Sequence, residues 1–156
     1  MRAEDEDALD VAGAAGAGDK ANEARITVAI FCGERFVSSG EIGNELLHQI
    51  TTNGRYRLRL DLQAENNVWY WAEYKSVVVA SESAKYPLHV AGYTSNTLND
   101  ALSYQNSMTF STFDRDNDPY SSTNCAANIG GGFWFNGCHH CSVNSKLGSE
   151  FRWYYL

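Results

Sequence analysis

Proline is nearly absent from this chain, with 2 in 156 residues, and methionine is equally scarce. Collagen-like and Pro-rich extended chains are thereby excluded. Basic residues are also short: 12 Lys and Arg stand against 19 Asp and Glu, for a net charge of −7. Such a chain lacks the clustered cations that phosphate backbones require, which argues against nucleic acid as a partner. No run of 18 or more apolar residues occurs, so no membrane-spanning helix is expected. Four cysteines are too few for a miniprotein built on a disulfide framework. Neither a Gly-x-Ser-x-Gly elbow nor a carboxylate pair suited to acid and base roles stands out. The expectation is a protein that is not an enzyme.

Aromatic residues are what the chain has in quantity, with 9 Tyr, 7 Phe and 4 Trp. Rings of that size need a packed interior or a binding surface, and 156 residues suffice for one domain with a real core. The acidity is concentrated at one end. Residues 1–25 hold seven acids (Glu4, Asp5, Glu6, Asp7, Asp10, Asp19, Glu23) against Arg2, Lys20 and Arg25, and so account for −4 of the −7. Eleven of the 25 are Ala or Gly. Such a segment buries too little to offset the entropy of ordering and reads as a disordered acidic tail. Its acidic start lacks the apolar stretch of a signal peptide. Gly13-x4-Gly18 is followed by Asp19-Lys20 rather than Lys-Ser or Lys-Thr, so it is no P-loop.

The apolar run Ile26 to Phe31 reads as a strand. Gly43 to Ile50 reads as a short helix with Leu46, Leu47 and Ile50 on one side, stopped at Asn53-Gly54. From Arg55 to Leu62, Tyr56, Leu58, Leu60 and Leu62 alternate with three arginines and Asp61, as a half-buried strand requires. Val68 to Ala80 predicts one or two further strands, and Tyr86 to Tyr93 another. His48 and His89 fall within these elements and read as structural. From Asn96 to Ser145, Ser, Thr, Asn, Asp and Gly dominate without periodicity, and loop-built regions of this length are often where function sits.

Two groups in that region carry chemistry. Asp114, Asp116 and Asp118 alternate in a turning loop and could offer oxygens to a hard cation such as Ca2+. An EF-hand is excluded, because Pro119 and Cys125 occupy its Gly and Glu positions. A solvated acidic turn and a calcium site remain equally open on spacing. Cys125, Cys138 and Cys141 with His139 and His140 admit zinc, a redox Cys-x-x-Cys or a disulfide. Zinc usually joins two paired clusters, and only one is present. The redox motif wants a helix starting at its first cysteine, and Ser142 to Gly148 is poor helix material. A Cys125–Cys138 disulfide closing the loop around Phe133, Trp134 and Phe135 is preferred. It implies an oxidising compartment and leaves Cys32 and Cys141 over.

The ordered motifs Phe110-Ser-Thr-Phe-Asp114-Arg-Asp116-Asn-Asp118, Asn124-Cys125-Ala126 and Gly132-Phe-Trp-Phe-Asn136-x-Cys138-His139 resemble the core of the fibrinogen C-terminal domain family. Gly43-Asn44-Glu45-x-x-His48, Gly54-Arg-Tyr56, Leu60-Asp61-Leu62, Ala72-x-Tyr74, Ser81-Glu-Ser83-x-x-Tyr86 and Ala101-Leu-Ser-Tyr104 keep the family's order upstream. The resemblance covers roughly 36–145. It implies an α+β fold: a small antiparallel sheet with short helices, plus a loop-rich calcium-binding and recognition subdomain. The whole of 26–156 is then a partial domain of this kind. It implies Asp116 and Asp118 as calcium ligands with the carbonyls of Tyr120 and Ser122, and pairs Cys125 with Cys138. It places a recognition pocket at the Gly137 and Cys138 amides, across a cis peptide between them, with His139 as one wall; nearby Phe133, Phe135 or Tyr155 are expected to give apolar cover. The family's early half-domain is absent, Cys141 replaces a small residue, and 146–156 holds no recognisable closing strand. The implied function is a secreted, non-catalytic, calcium-stabilised domain binding glycans, acetylated groups or an extracellular protein, as in innate-immune lectins. The alternative is a structural or receptor-binding ligand of the same fold, oligomeric within a longer parent; a zinc or redox module comes third.

Overall fold

The computed structural model of the chain describes residues 43–64, 66–138, 140–144 and 152–153, together with 25–32 and 35–38 as backbone. Residues 1–24 of the expected tail, His139 and Tyr155 lie outside these, while Arg25 opens the first strand. The architecture is a five-stranded antiparallel sheet in the order β2-β1-β3-β4-β5. Its strands are β1 (Arg25–Cys32), β2 (Arg35–Ser38), β3 (Tyr56–Gln63), β4 (Trp69–Val79) and β5 (Leu88–Ser95). The strand expected at 26–31 thus sits inside the main sheet, with Val28 opposite Leu60. The span 68–80 forms one strand rather than two.

Alternation in β3 does what its pattern dictates: Leu58, Leu60 and Leu62 are buried, and Ala72 and Tyr74 of β4 join them on that face. Beyond Lys75 the buried parity of β4 moves to Val77 and Val79. The shift occurs opposite Gly92, whose φ of +73° no residue with a Cβ adopts cheaply. A Cβ there would also stand 2.9 Å from that of Lys75.

Helix α1 (Asn44–Thr52) clips onto the far end of β4. Thr51 Oγ1 donates to Leu47 O (2.7 Å) and accepts from Val79 N (2.9 Å), and His48 Nδ1 donates to Val79 O (2.9 Å). His48 is therefore structural. Leu46, expected on the inner side, is half exposed, because the inward side of so short a helix runs through Leu47, Ile50 and buried Thr51. His89 is exposed and meets Ser107 Oγ at 3.4 Å.

Described residues beyond 96 pack over the buried face of the sheet. Leu98, Leu102, Phe133, Phe135, Cys141 and Trp153 share one core with the strand residues. A hydrogen bond ties the two halves: Tyr74 Oη donates to Asp100 Oδ1 (2.6 Å) and accepts from Leu102 N (3.3 Å). Burial, reinforced by the Asp100 carboxylate, pushes the Tyr74 phenol far above its ordinary pKa, so it stays a donor. In the span 146–156, expected to hold no recognisable closing strand, Trp153 is buried and donates from Nε1 to Asn99 O (3.1 Å). It lies in β7 (Arg152–Trp153), which pairs with β6 (Cys141–Ser142). That span thus contributes a two-residue strand to the fold.

Candidate functional site

The acidic loop is held by its own polar side chains. Asn117 Nδ2 donates to Phe110 O (2.8 Å), Asn117 N donates to Ser111 Oγ (3.0 Å), and Thr109 Oγ1 donates to Asn117 O (2.8 Å). Ser111 is buried and exchanges both backbone bonds with Phe133, which fixes the loop against the core. Asp114 is exposed and accepts from Thr112 Oγ1 (2.7 Å). Asp116 Oδ1 accepts from Asp118 N (3.2 Å). Asp118 works hardest: Oδ1 accepts from Tyr120 N (2.8 Å) and Oδ2 from Cys125 N (3.0 Å). One carboxylate thus joins the acidic loop to the cysteine that follows it.

The expected ligands, Asp116, Asp118 and the carbonyls of Tyr120 and Ser122, would offer a cation only oxygens. That chemistry fits a hard cation such as calcium rather than zinc. Among the described residues no three His, Cys, Asp or Glu side chains gather as a metal cluster. A calcium ion would therefore draw on two carboxylates, carbonyls and water.

Asn124 begins α2 (Cys125–Ile129), with its side chain accepting from Ala127 N (3.0 Å); Gly130, at φ +84°, ends it. Cys125 is bonded to Cys138 across a Cα separation of 5.2 Å. Cys141 is a buried free thiol whose pKa burial raises strongly, so it remains protonated. With Cys138 bonded and Cys141 enclosed at the start of a strand, the zinc and redox arrangements do not form.

The turn before Cys138 differs from expectation. No peptide among the described residues is cis. The chain reverses instead through two successive left-handed residues, Gly137 (φ +56°) and Cys138 (φ +69°), closed by Asn136 N donating to Cys138 O (2.9 Å). A non-glycine residue held there costs about 1–3 kcal/mol, which the disulfide and the surrounding packing sustain. Among the described residues neither the Gly137 nor the Cys138 N–H has a hydrogen-bond acceptor.

The aromatic wall is also not where it was expected. Phe133 and Phe135 are buried in the core, because their alternation with Trp134 turns both inward. Beside Gly137 stands Tyr104 instead, its ring stacked on that of His140 with centroids 3.7 Å apart and 10° between planes. Tyr104 Oη lies 3.3 Å from the place a Gly137 Cβ would take. Buried Gln105 holds the pair together: its amide donates to Ala101 O (2.7 Å) and accepts from His140 N (2.8 Å). Asn136 Nδ2 donates to Tyr104 O (2.7 Å). Tyr104 was visible as part of a motif, but only the fold shows its position. A separate cleft of about 390 Å³ lies between the acidic loop and the end of α2, lined by Thr112, Phe113, Ala126 and Gly130–Gly132 among others.

Residues 14–153 match the family described as fibrinogen beta and gamma chains, C-terminal globular domain. The chain is 43% identical over 114 residues to protein scabrous of Drosophila melanogaster, a match covering 72% of this chain and 14% of scabrous. It is similar to the fibrinogen-like globe domain of human ANGPTL6, with a TM-score of 0.63, 33% identity and coverage of 70% of this chain and 50% of that one. It is also similar to lamprey fibrin D-dimer complexed with the peptide ligand Gly-His-Arg-Pro-amide, with a TM-score of 0.61, 32% identity and coverage of 70% and 39%. The chain thus spans a small part of scabrous and half or less of these solved chains. Relatives with this domain are non-catalytic recognition proteins. Sheet, disulfide, ordered motifs and sequence match agree: the chain belongs to the family of fibrinogen C-terminal globular domains.

Proposed function

We propose that the chain is an extracellular recognition domain, stabilised by calcium, that holds an acetylated glycan or similar carbonyl-bearing ligand beside the Cys125–Cys138 bridge. The observation that carries this reading is the pair of amides at Gly137 and Cys138, without acceptors among the described residues and beside the Tyr104–His140 stack. Successive N–H groups in a left-handed turn form a concavity suited to a carbonyl oxygen or an anion. An aromatic stack next to it offers apolar surface to a methyl group or sugar ring. His139, which the resemblance implies as one wall, follows directly in sequence. The extracellular setting is supported by relatives such as scabrous and by the disulfide. Among the described residues no helix is long and apolar enough to cross a membrane.

Retention on an N-acetylglucosamine resin, with and without calcium, tests the pocket. The unmutated chain is expected to bind, and Tyr104→Ala and His139→Ala are expected to bind less. Equal retention of all three would contradict the pocket. A peptide ligand is the second reading, favoured by the lamprey neighbour solved with one; retention on an immobilised peptide but not on the sugar would select it.

Calcium, when bound, would fix the loop that Asp118 ties to Cys125. Ligand present at a hundredfold excess over its dissociation constant adds about 2.7 kcal/mol, or about 5–10 °C in a domain of this size. The joint Asp116→Asn, Asp118→Asn variant is expected to lose that calcium-dependent rise. An unmutated chain whose melting is indifferent to calcium would contradict the metal assignment.

A further inference from the structure

The solvent face of the sheet is not used by the site described above, and it differs in chemistry from the rest of the molecule. Alternation places Arg57, Arg59, Asp61 and Gln63 of β3 beside Trp69, Trp71, Glu73 and Lys75 of β4. The guanidinium of Arg59 lies 5.1 Å from the centroid of the Trp71 ring and pairs with Asp61 (2.8 Å). Arg57 meets Glu73 at 3.4 Å. Trp69 is 51% exposed with exposed Val68 before it, and Lys75 and Arg55 are exposed toward the other end of the strip. Counting Arg55 and Lys75, four cations stand against two carboxylates among the described residues of the strip. This is a net positive, aromatic strip on a chain of net charge −7.

The opposite charge lies in the same chain. Residues 1–24 hold seven acids and two bases, and five of the acids (Glu4, Asp5, Glu6, Asp7, Asp10) fall within seven positions. The chain enters the sheet at Arg25, which stands opposite Gln63, and Gln63 stands opposite Trp69. The N-terminal segment therefore joins the fold at the end of the strip where Trp69 is exposed. Fourteen residues, 11–24, separate Asp10 from that point. Fully extended they span about 46–50 Å, against about 20 Å for the length of β3 from Arg57 to Gln63. Reach is no obstacle, and the tether keeps the effective concentration of the acidic stretch high.

We propose that residues 4–10 dock across the Arg57–Arg59–Lys75 strip and cover Trp69, so that the acidic segment occupies the open face of its own sheet. The contact is electrostatic and sensitive to salt, because the paired side chains are partly exposed. Covering Trp69 also removes an exposed aromatic surface next to a strand.

Zero-length carbodiimide coupling of the full chain tests the placement, since it joins a carboxylate to a lysine amine only where the two touch. At low ionic strength Lys75 is expected to couple to residues 4–10 severalfold more than exposed Lys85, which lies off the strip; 0.5 M NaCl is expected to remove the difference. Acrylamide quenching gives a second readout. Joint replacement of Glu4, Asp5, Glu6, Asp7 and Asp10 by their amides is expected to raise the quenching of tryptophan fluorescence without lowering the melting temperature. Equal coupling of Lys75 and Lys85 would overturn the proposal. So would coupling found only between molecules, which would give the face to a second copy. Unchanged coupling and quenching alongside capture on a sulfated polysaccharide resin would give it to an external polyanion instead.

Discussion

Replacing Cys125 and Cys138 together by alanine is expected to lower the melting temperature by about 6–12 °C. The bridge spans 13 positions, and a loop of that length is worth about 3 kcal/mol in the chain-entropy picture. In a domain of this size each kcal/mol moves the midpoint by about 2–4 °C. The loss should reach beyond stability. Cys125 N donates to the Asp118 carboxylate, while Cys138 carries one of the two amides without an acceptor among the described residues. Cutting the bridge therefore uncouples the acidic loop from the left-handed turn. Calorimetry of the double variant with and without dithiothreitol checks this: the variant should be indifferent to reductant, whereas the unmutated chain should fall to its level. An unmutated chain that melts identically before and after reduction would contradict a stabilising bridge.

Trp153→Ala is expected to cost about 3–5 kcal/mol, as the removal of a large buried aromatic does. Trp153 is buried against the shared core, lies in the β6–β7 pair beside buried Cys141, and anchors to Asn99 through Nε1. Trp153→Phe keeps most of the packing and gives up the hydrogen bond, so about 1 kcal/mol separates it from the unmutated chain. Urea unfolding of the three proteins should order them in that sequence. A Trp153→Ala variant as stable as the parent would mean that β7 does not close the fold. The same experiment has a chemical readout. The Cys141 thiol, buried and held protonated, is expected to resist a thiol reagent in the parent and to react readily once Trp153 is removed.

The β3 leucines and Trp153 mark the boundary between what the sequence makes legible and what it does not. Leu58, Leu60 and Leu62 announce their strand because one face is buried and the other wet, and a period of two is visible in any chain with that constraint. The sheet at 56–63 and 69–79 was therefore readable, as was α1. Trp153 is invisible by the same logic: a strand of two residues has no period, and only the core it enters explains it. Helix α2 spans five residues without amphipathic repeat, yet its Asn124 cap and Gly130 stop were present as signals. Phe133 and Phe135 flank the disulfide loop in sequence, which invites a pocket reading. Their side chains point inward, and the ring beside the turn comes from Tyr104, more than thirty positions away. Side-chain direction in irregular backbone depends on long-range packing and is not encoded locally.

The turn itself illustrates the same limit. Motif order located Gly137 and Cys138, but the conformation that opens their amides, two successive positive φ angles without a cis bond, belongs to the folded loop. The proposed recognition site depends on that conformation and on the absence of an acceptor for these amides among the described residues.

An amide-resolved titration of the 15N-labelled chain with N-acetylglucosamine, in the presence of calcium, tests the site directly. The expected result is a saturable downfield shift of the Gly137 and Cys138 amide protons as they gain an acceptor, with smaller changes at Tyr104 and His140. Saturable shifts confined to other residues, or none at saturating sugar, would contradict an acetyl-binding turn beside the Cys125–Cys138 bridge.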